Sequence, residues 1–395
     1  MKKTLLAAAL LAGFAGAASA QSSVTLYGVL DGGVRYQNWN LSAGPFSSVD
    51  ISTSSVAVQS GSLNSSRFGL RGVEDLGSGN QVVWNIESQI NVGTGDSARP
   101  DSSTLWNRAS IVGVQNAAWG RIDIGRQLNL AFKFAGGPID SAFGVNAPII
   151  NISGVMGVTG IRNNNMLMYQ SPSLSGFKVG AQYSFNTGLT TSTQAATGGG
   201  TANPSQGSSF DTGNNMRNIS GAVSYTNGGF YVAGVYDQYT PANNTIAGQN
   251  GTKVTSWIVG GAYDAKVVKI GAGYNQVRGG LINGPSTTAV SSAIINPFAN
   301  GGIVFADGAG TNAWNINMSA PVGANGIVSA AYQGLSHTGL VADVGGATQM
   351  TWGLGYQHAF TKRTSVYALY AYVNNYLGIA GLSGNTGTVG LRHSF

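Results

Sequence analysis

The 395-residue chain lacks cysteine, has few charged residues and contains no long apolar run after its first twenty residues. The absence of thiols excludes disulfide scaffolds and thiolate-bound metal sites. Charged residues make up 9% of the chain, whereas ordinary globular domains contain about 25%. Because a spanning helix needs about 20 consecutive apolar residues, no segment beyond the N-terminal one is predicted to cross a membrane as a helix.

Catalytic and nucleic-acid-binding signals are also scarce. His337, His358 and His393 share no motif, and the chain contains no nucleophile elbow, zinc-protease motif or phosphate-binding loop. We therefore expect no enzyme activity, no bound metal and no cofactor. The basic residues form no run of the kind that binds nucleic acid, so no nucleic-acid partner is expected.

The N-terminus has the three parts of a secretory signal peptide. Two lysines precede an apolar stretch at residues 5–18, and alanine and serine fill the positions before the predicted cleavage between Ala20 and Gln21. We interpret residues 1–20 as a cleaved signal peptide and residues 21–395 as one domain. Cleavage lowers the formal net charge from +6 to +4, because the signal peptide carries two lysines and no acidic residue.

Apolar and polar residues alternate in many short segments, with the two-residue period of a β-strand whose faces differ. In residues 24–31, valine and leucine occupy one face, and Thr25, Tyr27 and Asp31 occupy the other. The same alternation occurs in residues 67–71, 121–124, 219–225 and 388–392. The chain also contains 60 glycines, and its aromatic residues are spread over the whole length. This pattern favours an all-β barrel with an apolar outside and a polar inside.

Seven short links and eight long ones alternate between the predicted strands. The short links contain the Gly, Asn, Asp and Pro that tight hairpins require, at residues 74–79, 116–120, 171–176, 227–229, 264–265, 321–325 and 361–363. The long links are rich in Gly, Ser, Thr and Asn, near residues 37–63, 92–104, 128–163, 187–215, 239–252, 278–311, 335–348 and 375–385. Fifteen connections predict a barrel of sixteen antiparallel strands. Short periplasmic turns and long extracellular loops are typical of transmembrane barrels in the bacterial outer membrane, and about sixteen strands enclose an aqueous channel.

Four segments carry a family resemblance. They are Ser23–Gly28 at the mature start, the twelve-residue block Ser66–Gly77, Gly120–Gln127 and the C-terminal Gly390–Phe395. In this order they resemble segments of the β-proteobacterial general porins, which are trimeric porins of Gram-negative bacteria. The resemblance implies a homotrimer whose third loop folds into the pore. It also implies contact with outer-membrane lipid and lipopolysaccharide, and insertion by the barrel-assembly machinery with Phe395 as the assembly signal.

Charged residues concentrate on the predicted lumen wall of the first five strands. The arginines expected there are Arg35, Arg67, Arg71, Arg108, Arg121 and Arg126, and the acids are Asp31, Glu87 and Asp123. The predicted third loop, residues 128–163, adds Asp140 as its only acid, together with Lys133 and Arg162. These groups could be ion pairs that brace the wall, or a constriction that selects anions. We favour the constriction, since charged rings are how pores select ions.

Aromatic residues near the predicted strand ends allow two interpretations. They are Tyr36, Trp39, Tyr183, Phe185, Tyr225, Tyr236, Tyr372 and Tyr376. Rings at the ends of spanning strands form interfacial girdles, because an amphipathic ring suits the headgroup layer. A file of rings along the lumen would instead guide sugars. We favour the girdles.

The function predicted from the sequence is passive diffusion of small hydrophilic solutes and ions, with a preference for anions, through a water-filled outer-membrane pore. The alternative is a substrate-specific porin for a sugar or an organic acid. Two other classes are disfavoured. A barrel enzyme would need a catalytic serine–histidine pair on the wall, and a secreted solenoid would need a repeat of fixed length, which the chain lacks.

The signal-peptide interpretation predicts that the mature protein starts at Gln21. N-terminal sequencing of protein extracted from the membrane fraction should therefore begin at this residue, because the small residues ending at Ala20 fit the cleavage site. Recovery of Met1 would contradict both the processing and the export.

Overall fold

The computed structural model describes residues 23–43, 50–97, 104–139, 162–188, 215–241, 252–282, 303–339 and 346–395. Ala20, Gln21 and Asp140 therefore lie outside the described residues. The β segments are β1 (Ser23–Leu41), β2 (Ile51–Ser60), β3 (Arg67–Gly77), β4 (Asn80–Gln89), β5 (Ala109–Asn116), β6 (Gly120–Leu128), β7 (Arg162–Gln170), β8 (Phe177–Ser184), β9 (Arg217–Asn227), β10 (Phe230–Thr240), β11 (Val254–Asp264), β12 (Lys269–Ile282), β13 (Ile303–Val322), β14 (Gly326–Thr338), β15 (Gln349–Ala359), β16 (Thr364–Asn374) and β17 (Leu382–Ser394). Short helical turns lie at Phe132–Gly136, Gly137–Ile139 and Tyr376–Gly378. No helix in these ranges is long and apolar enough to cross a membrane.

The β segments close into a ring because β1 is paired along both of its edges. One edge pairs with β17 over residues 29–41. The other edge pairs with β2 at residues 32–41 and with β3 at residues 23–29. Since β2 and β3 share this edge, they are two halves of one barrel strand, and the seventeen segments form sixteen strands. The structure confirms the predicted all-β, sixteen-stranded antiparallel barrel.

Asp31 binds the segment between β2 and β3, at the point where the pairing of β1 changes from one to the other. Its side chain is fully buried, and its carboxylate accepts hydrogen bonds from the backbone amides of Leu63 (3.1 Å) and Asn64 (2.7 Å). The Tyr367 hydroxyl of β16 donates another, at 2.6 Å. A buried carboxylate needs such donors to offset its lost hydration. Asp31 thereby connects strands on both sides of the β1–β17 seam.

The short turns agree with the prediction, whereas several long loops were predicted too long, two of them by the most residues. All seven short links join the expected strands. The predicted loop 37–63 contains the end of β1 and all of β2, and the predicted loop 278–311 contains parts of β12 and β13. Serine- and glycine-rich composition indicated loops there. Ladder hydrogen bonds use backbone atoms, however, so such segments form strands where a partner strand lies alongside.

Side chains alternate between a polar lumen face and an apolar outer face. On β1, Val24, Leu26 and Val34 are each at least half exposed on the outside. Asp31 and Arg35 have the opposite parity and point into the lumen. The predicted assignment of apolar residues to the outside and charged residues to the inside holds for this strand.

The aromatic residues divide between the two faces. Tyr225 lies outside and stacks on Phe177 of the neighbouring strand, with ring centroids 4.6 Å apart, as a girdle requires. Trp39 and Tyr376 instead stack at 5.0 Å inside the barrel, where they are 3% and 6% exposed. The girdle interpretation was wrong for these two residues, because Trp39 has the parity of the lumen-facing side chains of β1.

The C-terminal residue completes the seam, and this generates a prediction about assembly. Phe395 and Gly28 exchange two backbone hydrogen bonds of 3.1 Å, and the Phe395 ring covers Gly28 on the outer face. Deleting Phe395 should lower the amount of folded barrel in the outer membrane and leave export unchanged, because the seam loses a backbone pair and an apolar contact. The heat-modifiable mobility of the protein in gels of the membrane fraction measures this.

Phe360→Ala provides the control for that deletion. Phe360 is an exposed ring on the turn between β15 and β16, at the same end of the barrel but outside the seam. Its loss should leave the membrane level unchanged. If the Phe395 deletion also reached the normal level, the role of Phe395 in assembly would be refuted.

Candidate functional site

The chain turns into the barrel directly after β6. Leu130, Phe134 and Ile139 are almost completely buried, and they pack with lumen-facing residues of β7, β10 and β11. The Tyr231 hydroxyl of β10 donates a 2.6 Å hydrogen bond to the backbone carbonyl of Phe134. The described part of the third loop, residues 129–139, therefore lies inside the barrel, as predicted, and is attached to its wall.

Glycines in the wall allow the third loop to approach closely. A Cβ atom at Gly180 of β8 would lie 2.8 Å from Leu130 Cδ2 and 3.0 Å from the Phe134 ring. A Cβ atom at Gly271 of β12 would overlap the backbone carbonyl oxygen of Ile139. Real Cβ atoms do not occupy such positions, so the absence of side chains at these two residues sets how deeply the loop is seated.

Another part of the wall, on both sides of the seam, carries arginines. Arg35 lies on β1, Arg67 and Arg71 on β3, and Arg392 on β17, all with lumen-facing parity. Arg71 is exposed to the lumen, and its guanidinium carbon lies 5.1 Å from the centre of the Tyr27 ring. Within the described residues, the Arg35 guanidinium forms no ion pair. These side chains can therefore meet a solute in the lumen.

Glu87 is a second acid of this wall beside Asp31, and its carboxylate interacts with several side chains. It accepts hydrogen bonds from Arg108 Nε at 2.5 Å and from the Tyr27 hydroxyl at 2.9 Å. The Nε atom of Arg67 lies 3.6 Å from Glu87 Oε2, the oxygen that also accepts the Tyr27 hydrogen bond. Arg108 is only 7% exposed, so it braces the wall, whereas Arg67 keeps part of its surface in the lumen.

Arg126 and Arg162 connect the base of the third loop to its surroundings. Arg126 donates to the Asn107 carbonyl at 2.8 Å and to the Asn164 side-chain oxygen at 2.6 Å. Arg162 is buried and donates to the Arg108 carbonyl at 2.9 Å. Both guanidinium groups are therefore held by protein oxygens near the start and the end of the third loop. Asp140, the predicted third-loop acid, lies outside the described residues.

A second basic group surrounds Asp123 next to the third loop. Arg121 Nε lies 2.8 Å from the Asp123 carboxylate, and Lys133 Nζ donates to the Gln127 side chain at 2.7 Å. Lys178 of β8 places its ammonium 5.6 Å from the centre of the Phe134 ring. Burial lowers the pKa of Lys133 to about 8, although the Asp123 charge opposes that shift. The loop thus contributes an amine whose pKa is lowered from the usual lysine value to about 8.

The three predicted lumen acids are less exposed than two of the arginines beside them. Asp31 and Asp123 are fully buried, and Glu87 is 14% exposed. The side chains of Arg67 and Arg121 are 23% and 34% exposed. Among the described residues of this wall, the guanidinium groups of Arg67 and Arg121 are therefore more accessible from the lumen than the neighbouring carboxylates.

Sequence reasoning missed two basic residues of this region. Arg392 of β17 has the inward parity of Thr388, next to the outward Leu391, and Lys178 alternates with the outward Phe177. The same two-residue alternation that identified Arg67 could have identified both. No group of three or more histidine or acidic side chains arranged to hold a metal occurs in the part of the chain that the structure describes.

The known proteins whose sequences are similar to this chain are outer-membrane porins. The sequence profile of Gram-negative porins matches residues 7–376. An outer membrane porin protein of Bordetella pertussis is 37% identical, with both chains covered completely. The outer membrane porin protein 32 of Delftia acidovorans is 30% identical, again over both complete chains.

Solved structures show the same fold. An anion-selective porin from Comamonas acidovorans superposes with a TM-score of 0.64 at 23% identity, covering 95% of this chain and 100% of the other. OmpT of Vibrio cholerae in its trimer form superposes with a TM-score of 0.58 at 16% identity, covering 95% and 99% of the two chains. Both are sequence-distant, and their likeness to this chain is one of fold.

The seating of the third loop generates a stability prediction for Gly271→Ala. The added methyl group cannot coexist with the Ile139 carbonyl, so the loop must shift. Overpacking of this kind costs about 1–3 kcal/mol in the free energy of unfolding. Thermal unfolding of the barrel, followed by circular dichroism in detergent, should show a lower melting temperature.

Gly221→Ala provides a matched control. It also adds one methyl group to a strand glycine, but no heavy atom lies within 4 Å of that position. Its melting temperature should equal that of the unmodified chain. Equal losses in both variants would show that strand glycines, and not the loop contact, determine the effect.

Proposed function

The chain belongs to the Gram-negative porin family of outer-membrane β-barrels, and we propose that it forms a water-filled channel for passive diffusion of small hydrophilic solutes with a preference for anions. The narrow part of the channel lies between the third loop and the arginine-bearing wall near the seam. Solute size is limited by the space between them. Solute charge is selected by the basic groups on both sides, with Arg35, Arg67 and Arg71 on the wall and Arg121 and Lys133 beside the loop.

The unequal exposure of the lumen charges carries this proposal. Field lines concentrate in a cleft with low-dielectric walls, and charges act over about 8 Å at physiological ionic strength. Basic groups in the constriction therefore act on a passing ion, while charges on distant loops are screened. Arginine suits this role because it stays protonated and donates several hydrogen bonds without one fixed partner. The Comamonas acidovorans porin with the same fold is described as anion-selective, which supports a preference for anions in the proposed channel.

The proposal includes a homotrimer of channels. The outer faces of β1 and β2 present an apolar strip in which Val34 is opposite Val58, with Val56 two residues along. Contact between copies would bury this apolar strip against a neighbouring barrel. The Vibrio cholerae barrel of the same fold is described in a trimer form. The mature chain starts at Gln21 and acts as a channel, not as an enzyme. The barrel-assembly machinery inserts it, with Phe395 as the signal, among outer-membrane lipid and lipopolysaccharide.

Replacing Arg71 and Arg121 together with Glu tests the proposed selectivity. The double variant should lose anion preference and shift toward cations, because two exposed positive charges become negative. Reversal potentials measured across a planar bilayer under a salt gradient report the preference directly. In the unmodified protein the preference should weaken as the salt concentration rises, because screening shortens the range of the field.

Lys362→Glu combined with Arg363→Glu is the matched control. Both residues are exposed in the short turn between β15 and β16, and the pair makes the same change in net charge outside the constriction. Its reversal potential should match that of the unmodified protein. Cation selectivity of the unmodified channel would overturn the proposal, and so would an unmoved potential in the Arg71 and Arg121 double variant.

Lys133 should make the selectivity depend on pH. Because burial lowers the pKa of Lys133 to about 8, its ammonium loses its proton as the pH rises through that value. The anion preference should therefore decrease over this interval, well below the ordinary pKa of lysine, which is about 10.4. Lys133→Gln should remove this step from a series of reversal potentials recorded against pH. A step of the same size in the Gln variant would assign it to another group.

A further inference from the structure

Asp237 of β10 is a buried carboxyl group that the proposed channel does not use. Its side chain is fully buried on the lumen face of the strand, behind the third loop. Among the described residues neither of its oxygens meets a partner with full hydrogen-bond geometry, although the polar side chains of Ser220 and Asn218 lie close to it. No lysine or arginine in that part of the chain forms an ion pair with it. A buried carboxylate without a counter-charge is strongly disfavoured. The site therefore calls for a positive partner.

Oxygen atoms surround this carboxyl group. The residues directly opposite Asp237 on the two neighbouring strands are Ser220 of β9 and Ser256 of β11. Tyr239 follows two residues along on the same face of β10, and both side chains are fully buried. The hydroxyls of Ser220 and Tyr239 are buried, and within the described chain neither meets a partner with full hydrogen-bond geometry, although the Tyr239 hydroxyl lies close to the side chains of Asn129 and Asn163. Carboxylate, hydroxyl and carbonyl oxygens are the ligands that Ca²⁺ and other hard cations prefer.

The same oxygen cluster lies where both ends of the third loop meet the wall. Asn129 is at the start of the loop and Asn163 follows its end, and Tyr239 lies beside both. The side-chain oxygen of Asn163 is buried and has no partner among the described residues. Its amide nitrogen donates to Asn218 of β9 at 3.1 Å. An ion held here would contact both the wall and the returning strand of the loop.

We propose that Asp237, together with the Ser220 and Tyr239 hydroxyls and the Asn163 side-chain oxygen, binds a hard cation such as Ca²⁺. The ion neutralises the buried carboxylate and links the wall strand β10 to the strand that leaves the third loop. A single carboxylate gives such a site modest affinity, because Ca²⁺ affinity rises with the number of charged ligands. The ligands come from β7, β9 and β10, so no motif of consecutive residues in the sequence indicates the site. The proposal does not depend on the ion preference of the pore.

Terbium luminescence tests whether the site exists. Tb³⁺ replaces Ca²⁺ in oxygen sites and emits when a nearby tyrosine is excited, and Tyr239 supplies that ring. Full-length barrel refolded in detergent without divalent ions should bind Tb³⁺ in a form that Ca²⁺ displaces. Asp237→Asn should bind one ion fewer per chain. Asp264→Asn should bind as the unmodified chain does, because Asp264 is an exposed acid on the adjacent strand that already lies 3.6 Å from Lys266 Nζ.

Thermal unfolding gives a second readout. Ca²⁺ should raise the melting temperature of the unmodified barrel and of Asp264→Asn, and it should have no effect on Asp237→Asn. If Asp237→Asn does not refold, Tyr239→Phe serves instead, because it removes one ligand oxygen and keeps the ring volume. It should weaken Tb³⁺ binding measurably.

Two outcomes would overturn the proposal. One is equal Tb³⁺ binding by Asp237→Asn, or by Tyr239→Phe, and the unmodified chain. The other is an unmodified barrel whose melting temperature does not respond to Ca²⁺. Either result would mean that Asp237 is neutralised by a proton and not by a cation.

Discussion

The pairing of β1 along both edges is the constraint on which the rest of this structure depends. In a bilayer an unpaired backbone N–H or C=O group has no water to bind, at a cost of several kcal/mol for each group. A sheet of sixteen strands can avoid this cost only by closing. Once the backbone is satisfied by closure, the side chains are free to divide by face. The outside can be apolar and the inside polar, which reverses the usual arrangement of a soluble domain.

The lumen is itself divided by the third loop. On the wall from β7 to β12 the loop is held by apolar packing around Leu130, Phe134 and Ile139, and by close contact with wall glycines. Among the described residues no such apolar cover lies over the wall near the seam, and Arg67 and Arg71 keep part of their side-chain surface exposed. In the proposed channel, this one asymmetry would narrow the lumen and also determine which charges border the narrow part. Selection by size and selection by charge would then have the same structural origin.

The sequence alone predicts those features that depend on local chemistry. Hairpin turns need particular residues and strands alternate with period two, so the strand number and the inward faces of Arg35, Arg67 and Arg71 follow from the chain. The interaction partners of these side chains do not follow from the sequence alone. Arg108 and Arg126 were predicted beside the other arginines, but neighbouring strands and register place Arg108 on Glu87 and Arg126 on Asn107 and Asn164. The strand β2 was missed because its serines resemble a loop.

The hydrogen bond from Tyr367 to Asp31 joins residues that are 336 positions apart. Contacts so distant in sequence form slowly, because the entropy of closing the intervening chain must be lost before they contribute stability. One edge of β1 therefore stays unpaired until β16 and β17 have been synthesised and exported. A chain that ends early lacks the tyrosine that Asp31 requires and the strand that covers β1. The barrel can therefore close only when the whole chain is present. A chain whose translation stopped early would lack the strand that pairs with β1 and could not form the closed barrel.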